Sequence, residues 1–236
     1  MFDIKQTTAD YMSLVLTHEC NKKCPFCIDR YRGRLEYISR EHVIAACEHG
    51  VKHGIKDVLL IGGEPTLHPN VVEIAQLVKS YGFRVIMTTN YTMPDVVKAL
   101  DGIVDCFNIS FYHQPSLPLQ ANFNSDLTLH TLIHTRQLET KEKLDAFIEK
   151  HRGVGHIKFS TLSPCNQWAT DHQLSGGYLD ALPCEWVVLF NEILGQIYNG
   201  ATIKRYDRVI NKIAHQSFKC HVDGEISDTW ERNLSA

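Results

Sequence analysis

Three cysteines stand close together in the run Cys20-Asn21-Lys22-Lys23-Cys24-Pro25-Phe26-Cys27. Thiolates are soft ligands, and three this close in sequence can converge on one soft metal centre. A cluster of four irons has four corners, so three local cysteines leave one iron without a protein thiolate unless a distant residue supplies it. An iron open in this way can hold a substrate or cofactor directly. The alternative is a zinc site in which His18 joins the three sulfurs as a Cys3His set. A second chemical motif follows downstream, Ile61-Gly62-Gly63-Glu64-Pro65. Its two glycines suit a tight turn or a close approach of backbone to a ligand. Zinc binding would leave this second motif unexplained.

The C-x3-C-x2-C spacing, with Phe26 just before the last cysteine, resembles the signature of the radical S-adenosylmethionine (radical SAM) family. Gly62-Gly63-Glu64-Pro65, continuing as Thr66-Leu67-His68-Pro69, is similar to the version found in molybdenum-cofactor cyclases and peptide-modifying enzymes. The resemblance covers about residues 11–162. It implies a [4Fe–4S] cluster held by Cys20, Cys24 and Cys27, with SAM chelating the remaining iron. It also implies cofactor contacts from Gly62, Gly63, Glu64, Asn90, Ser110 and Arg136, with Glu64 accepting from the SAM amino group. Asn90 and Ser110 would hold its ribose or carboxylate, and turn or capping chemistry is the alternative for those two. Arg136 and Lys158 would pair with a carboxylate of SAM or substrate, or form solvated salt bridges. The implied activity is reductive cleavage of SAM to a 5′-deoxyadenosyl radical, which takes a hydrogen atom from a small metabolite, a nucleobase derivative or a peptide. Oxidoreductase and lyase outcomes both fit. The implied partners are that substrate and a one-electron reductant such as flavodoxin or ferredoxin. The alternatives are an activase that installs a glycyl radical on a protein partner and a non-catalytic metal-binding interaction module.

Elements must place these residues together. Tyr11 to Thr17 reads as a buried strand feeding the cysteine loop. Ser39 caps a helix from Arg40 to His53, Asn70 one from Val71 to Tyr81, and Thr140 one from Lys141 to His151. Pro94 opens a short helix to Leu100. Further strands are expected at 57–61, 83–87, 103–109, 126–135 and 155–160. Strands alternating with helices imply a parallel sheet, and right-handed connections curl it toward a partial (β/α)6 TIM-type barrel. Active sites of such barrels lie at the C-terminal strand ends. The cysteines, Gly-Gly-Glu-Pro, Asn90, Ser110, Arg136 and Ser160 all fall there. Residues 1–162 are expected to form this core, and 163–236 a helical and hairpin extension capping the barrel. The extension is read as helices at 185–198 and 206–215, then a type I′ hairpin at Asp223-Gly224.

Composition narrows the remaining classes. The chain has 236 residues, 44% of them hydrophobic and 22% charged, which suits a packed core and excludes intrinsic disorder. Its net charge of −3 gives no global pull toward nucleic acid. No apolar run reaches the length of a membrane span, and Met1-Phe2-Asp3-Ile4-Lys5 is no signal sequence, so a cytoplasmic location is the expectation. Of the eight cysteines, Cys47 and Cys106 read as buried thiols, while Cys165, Cys184 and Cys220 are candidates for a second cluster or a hydrogen donor. The loops at 112–116 and 168–178 are candidate substrate contacts.

Overall fold

A computed structural model describes residues 11–29, 33–111, 116–162, 166–173, 194–199, 202–207 and 217–227. They fall into two compact units. The first draws on Met1–Lys22, Tyr31–Phe107 and Ile213–Ala236, the second on Lys23–Arg30 and Asn108–Lys212.

In the first unit, β1 (Tyr11–Thr17) is buried from Met12 onward because it is flanked on both sides. It pairs in parallel with β2 (Asp57–Gly62), which pairs in parallel with β3 (Arg84–Thr89). Helix α1 (Arg40–Lys52) begins where Ser39 accepts from His42 N, and buries Val43, Ala46, Cys47 and Gly50. Helix α2 (Val71–Ser80) buries Val71, Ile74, Ala75 and Val78. Asn70 precedes it without a side-chain cap bond. Pro94 opens α3 (Pro94–Leu100), as expected for a residue with no N–H to leave unpaired. Strand β4 (Cys106–Ser110) has its first two residues in this unit and its last three in the second.

The second unit holds β5 (Asp126–Ile133) and β6 (His156–Thr161), paired in parallel across α4 (Lys141–His151). Thr140 caps α4 by accepting from Lys143 N. Leu127, Leu129, Thr131 and Ile133, on one face of β5, are all fully buried. The expected loop at 168–178 begins within a short helix, α5 (Gln167–Asp171).

The tail corrects the expectation. Leu194–Asn199, overlapping the end of the expected helix at 185–198, is strand β7; it pairs antiparallel with β6 and with β8 (Thr202–Asp207). Apolar periodicity cannot separate a short strand from a helix, and the β6 partner decides it. Residues 181–193 and 208–216 lie outside the described residues. The later hairpin forms, as β9 (Ser217–Cys220) and β10 (Ile226–Ser227). Only Gly224 in its turn has positive φ, at 86°, so the turn is not type I′, which needs two such residues. Strand β9 lies parallel to β1 and extends its sheet.

Candidate cofactor site

The ends of β1 and β2 in the first unit are laid against each other. Gly63 N donates to Thr17 O and Glu64 N to Glu19 O, each at 2.7 Å. The approach is too close for side chains. A Cβ on Gly62 would overlap Thr17 O, and one on Gly63 would overlap the carbonyl oxygens of His18 and Glu19. Gly62 also sits at φ 150°, where a side chain is strained. The pair of glycines is therefore what lets the Gly-Gly-Glu-Pro segment lie on the strand end that leads into Cys20.

Glu64 locks this arrangement. Its side chain is buried, and one carboxylate oxygen accepts from Thr66 N (3.1 Å), Thr66 Oγ1 (2.6 Å) and Thr89 Oγ1 (2.7 Å). The other oxygen accepts from Asn90 N at 2.7 Å. Burial pushes its pKa up; the four donors pull it down by less. The carboxylate thus ties the β2 end to the β3 end. Pro65 to Leu67 form a single 3-10 turn capped by the same carboxylate.

Asn90 reaches the cysteine loop. Its Nδ2 donates to Asn21 Oδ1 at 2.9 Å, and Asn21 Nδ2 donates to Thr92 Oγ1 at 2.7 Å. Asn90 Oδ1 in turn accepts from Thr92 N and Thr92 Oγ1. Tyr91 between them takes a left-handed φ of 56°, unusual for a residue with a side chain. Asn21 follows Cys20 directly, and nothing in its sequence context marks it as a partner of residues 90 and 92. Across the other side of the loop entry, Gly33 N donates to His18 O at 2.7 Å and Ile38 N to Leu16 O at 2.9 Å. The Tyr37 hydroxyl donates to Glu19, and its ring meets His68 edge-on. His68 Nδ1 accepts from Asn70 N, so its Nε2 carries the proton and donates to Ile38 O.

Cys24 and Cys27 belong to the second unit, where Cys27 N donates to Cys24 O at 3.2 Å and turns the chain over Pro25 and Phe26. The Phe26 ring packs on His134, from the end of β5, and on Trp168, from α5. Arg136 is exposed at the tip of a tight turn in which His134 and Gln137 exchange backbone bonds; its N–H donates to His134 Nδ1. Ser110 is half-buried at the C-terminal end of β4. His130 lies opposite Lys158 in the β5–β6 register, and burial, helped by that ammonium, pushes its pKa down to about 3.

The donor set suits an iron–sulfur cluster. Cys20, Cys24 and Cys27 are half-buried and none is in a disulfide. Lys22 N donates to Cys20 Sγ at 3.4 Å, the kind of N–H to sulfur bond that supports thiolate charge. Among the described residues no group of three or more His, Cys, Asp or Glu side chains is placed to hold one metal ion. A cluster would be held by Cys20, Cys24 and Cys27 one thiolate to an iron, without the three sulfurs meeting on a single ion. The remaining described cysteines lie in the core. Burial pushes the Cys47 and Cys220 thiols up to about 12, and Cys106 is buried in β4. Cys165, Cys184 and residues 112–115 lie outside the described residues.

Residues 14–147 match the Radical SAM superfamily. The chain belongs to that superfamily. The cofactors of that superfamily are a [4Fe–4S] cluster and SAM. It is 36% identical over 105 residues to a probable GTP 3′,8-cyclase of Saccharolobus solfataricus, a match covering 43% of this chain and 34% of that one. It is 33% identical over 116 residues to a probable GTP 3′,8-cyclase of Sulfolobus acidocaldarius, covering 48% of this chain and 37% of the relative. The matches thus span about a third of the length of these curated relatives. Among solved structures, Streptococcus suis SuiB bound to S-adenosylmethionine aligns with TM-score 0.64 at 10% identity, over 95% of this chain and 61% of SuiB. SuiB bound to its precursor peptide SuiA aligns with TM-score 0.62 at 12% identity, over 94% and 60%. At that identity the likeness shows the fold, the α/β TIM-type architecture of radical SAM enzymes. No described helix is long and apolar enough to cross a membrane.

Proposed function

We propose that the chain binds its cluster through Cys20, Cys24 and Cys27, and SAM through the strand ends that carry Gly62, Gly63, Glu64, Asn90, Ser110 and Arg136. When bound, the cluster and SAM supply reductive cleavage to a 5′-deoxyadenosyl radical, which takes a hydrogen atom from an organic substrate. The observation that carries this reading is the pair of 2.7 Å backbone bonds from Gly63 and Glu64 to Thr17 and Glu19, made possible by two glycines. They bring the backbone of the Gly-Gly-Glu-Pro segment beside the start of the cysteine loop. There it would meet the amino-acid end of SAM, while the Glu64 carboxylate holds the segment rigid from behind. Asn90 serves the same site through Asn21, by orienting the residue next to Cys20. Ser110 and Arg136 supply a hydroxyl and a guanidinium at the ends of β4 and β5.

The substrate is a small metabolite, a nucleobase derivative or a peptide. The relatives' name denotes action on GTP, and SuiB was crystallised with a precursor peptide, which supports both of the latter classes. A one-electron reductant such as flavodoxin or ferredoxin completes the system, in the cytoplasm. Anaerobic reconstitution with iron and sulfide, followed by dithionite and SAM, tests the reading. Release of 5′-deoxyadenosine by the wild type and its loss in Cys24→Ala are the expected results. A cluster-loaded wild type that releases none would overturn it. Deuterium carried from a labelled candidate into 5′-deoxyadenosine then identifies the substrate.

A further inference from the structure

The second half of the cysteine loop is held by a segment outside the residues that match the family. Asn166 does two things at once. Its Oδ1 accepts from Ala169 N at 2.9 Å and caps α5, and its Nδ2 donates to Pro25 O at 2.9 Å. Two residues on, the Trp168 ring lies 5.9 Å from Phe26 and 5.5 Å from His134, edge-on to the latter. Its other neighbour, His172, is stacked on it at 4.2 Å.

The helix is itself fastened to the unit's strands. His172 O accepts from Thr135 N at 3.0 Å, just past β5. Gln173 Nε2 donates to Leu162 O at 3.0 Å, just past β6, and Ala169 is fully buried beneath. A five-residue helix has little stability alone. Tied at both ends, it presents one amide and one indole to the turn between Cys24 and Cys27. The Pro25 carbonyl is the group of this turn that accepts from Asn166, and Pro25 has no N–H with which to anchor itself.

We propose that α5 is a latch on the cluster loop, with Asn166 and Trp168 as positioning residues that hold the Cys24–Cys27 turn in its ligating shape. The inference rests on the cluster assignment above only for its effect on iron, not for its effect on the loop. The prediction is that loosening the latch speeds both exposure of the turn and loss of iron, while the α/β core stays intact.

Asn166→Asp separates the two jobs of Asn166. Aspartate keeps the oxygen that caps α5 and is a good cap, but it has no N–H for Pro25 O and turns a carboxylate toward that carbonyl. Trp168→Ala removes the ring against Phe26, and Trp168→Phe restores most of it. Two measurements read the result. Hydrogen exchange of the Phe26 and Cys27 amides is followed in the protein as purified. Iron release to a chelator is followed after anaerobic reconstitution. Asn166→Asp is expected to raise both rates about threefold, and Trp168→Ala about tenfold, the sizes set by one hydrogen bond and one aromatic contact. Trp168→Phe should return both toward wild type, with far-UV circular dichroism unchanged throughout. Wild-type exchange and iron release in both Asn166→Asp and Trp168→Ala would overturn the latch. If the wild type takes up no cluster, the cluster assignment fails, and the exchange arm alone decides the latch.

Discussion

Replacing Gly63 by alanine is the sharpest test of how the strand ends are joined. Its Cβ would overlap the backbone carbonyls of His18 and Glu19, and backbone atoms do not swing aside as the tip of a flexible side chain does. The chain can relieve the clash only by moving the Gly-Gly-Glu-Pro segment off the β1 end. That gives up the bonds from Gly63 N to Thr17 O and from Glu64 N to Glu19 O. Each is worth about 1 kcal/mol net, and overpacking a tight site costs about 1–3 kcal/mol. Losing the bonds is the route by which the clash relaxes, so the two costs overlap and the total is about 3 kcal/mol. For a chain of this size that lowers Tm by about 6–12 °C. Gly82→Ala is the control: it has open space around the added carbon but keeps a φ of 84°, so it carries only backbone strain. Thermal melts followed at 222 nm, with iron and sulfide content after reconstitution, are the assay. Gly63→Ala should lose both stability and iron, and Gly82→Ala should bind iron like wild type. A Gly63→Ala protein with the Tm and iron content of the wild type would refute the claim that the glycines are there for close approach.

Other outcomes follow from the same geometry. Glu64→Gln exchanges one acceptor oxygen for an N–H that must face the Asn90 N–H; the loss is partly offset because the buried charge is gone, leaving a cost of about 2 kcal/mol, read as a lower urea midpoint. His130, held neutral down to about pH 3, contributes stability that is fully present above its unfolded pKa and is lost as pH falls toward its folded one. His130→Gln should therefore flatten acid destabilisation between about pH 6.5 and pH 3, by up to about 1.4 kcal/mol per pH unit, measured by denaturant melts across that range. Cys47 and Cys220, with thiols pushed up to about 12, should resist iodoacetamide at pH 8 in the folded protein and react once it is unfolded, as peptide mapping would show. Their burial also makes stability fall as pH rises above the ordinary thiol range toward that value.

Local sequence already carried the parts of this protein whose meaning is local. The cysteine spacing, the Gly-Gly-Glu-Pro run, the Ser39 and Thr140 caps and the strand alternation of 126–133 each depend on neighbours within a few residues, so they could be read directly. Strand β7 could not, because Leu194–Asn199 is apolar enough for helix or strand and its partner β6 lies far back in the chain. Glu64 stands out by its motif, but its four donors come from residues 66, 89 and 90, two of them on another strand end. Asn21 and Asn166 gave no sign of their roles for the same reason: each holds the cysteine loop through a partner 69 and 141 residues away. Residue type and spacing determined which atoms are available to ligate iron. Only the folded chain decided what keeps them in place, because an amide or a carboxylate is satisfied by whatever donor the tertiary structure brings to it.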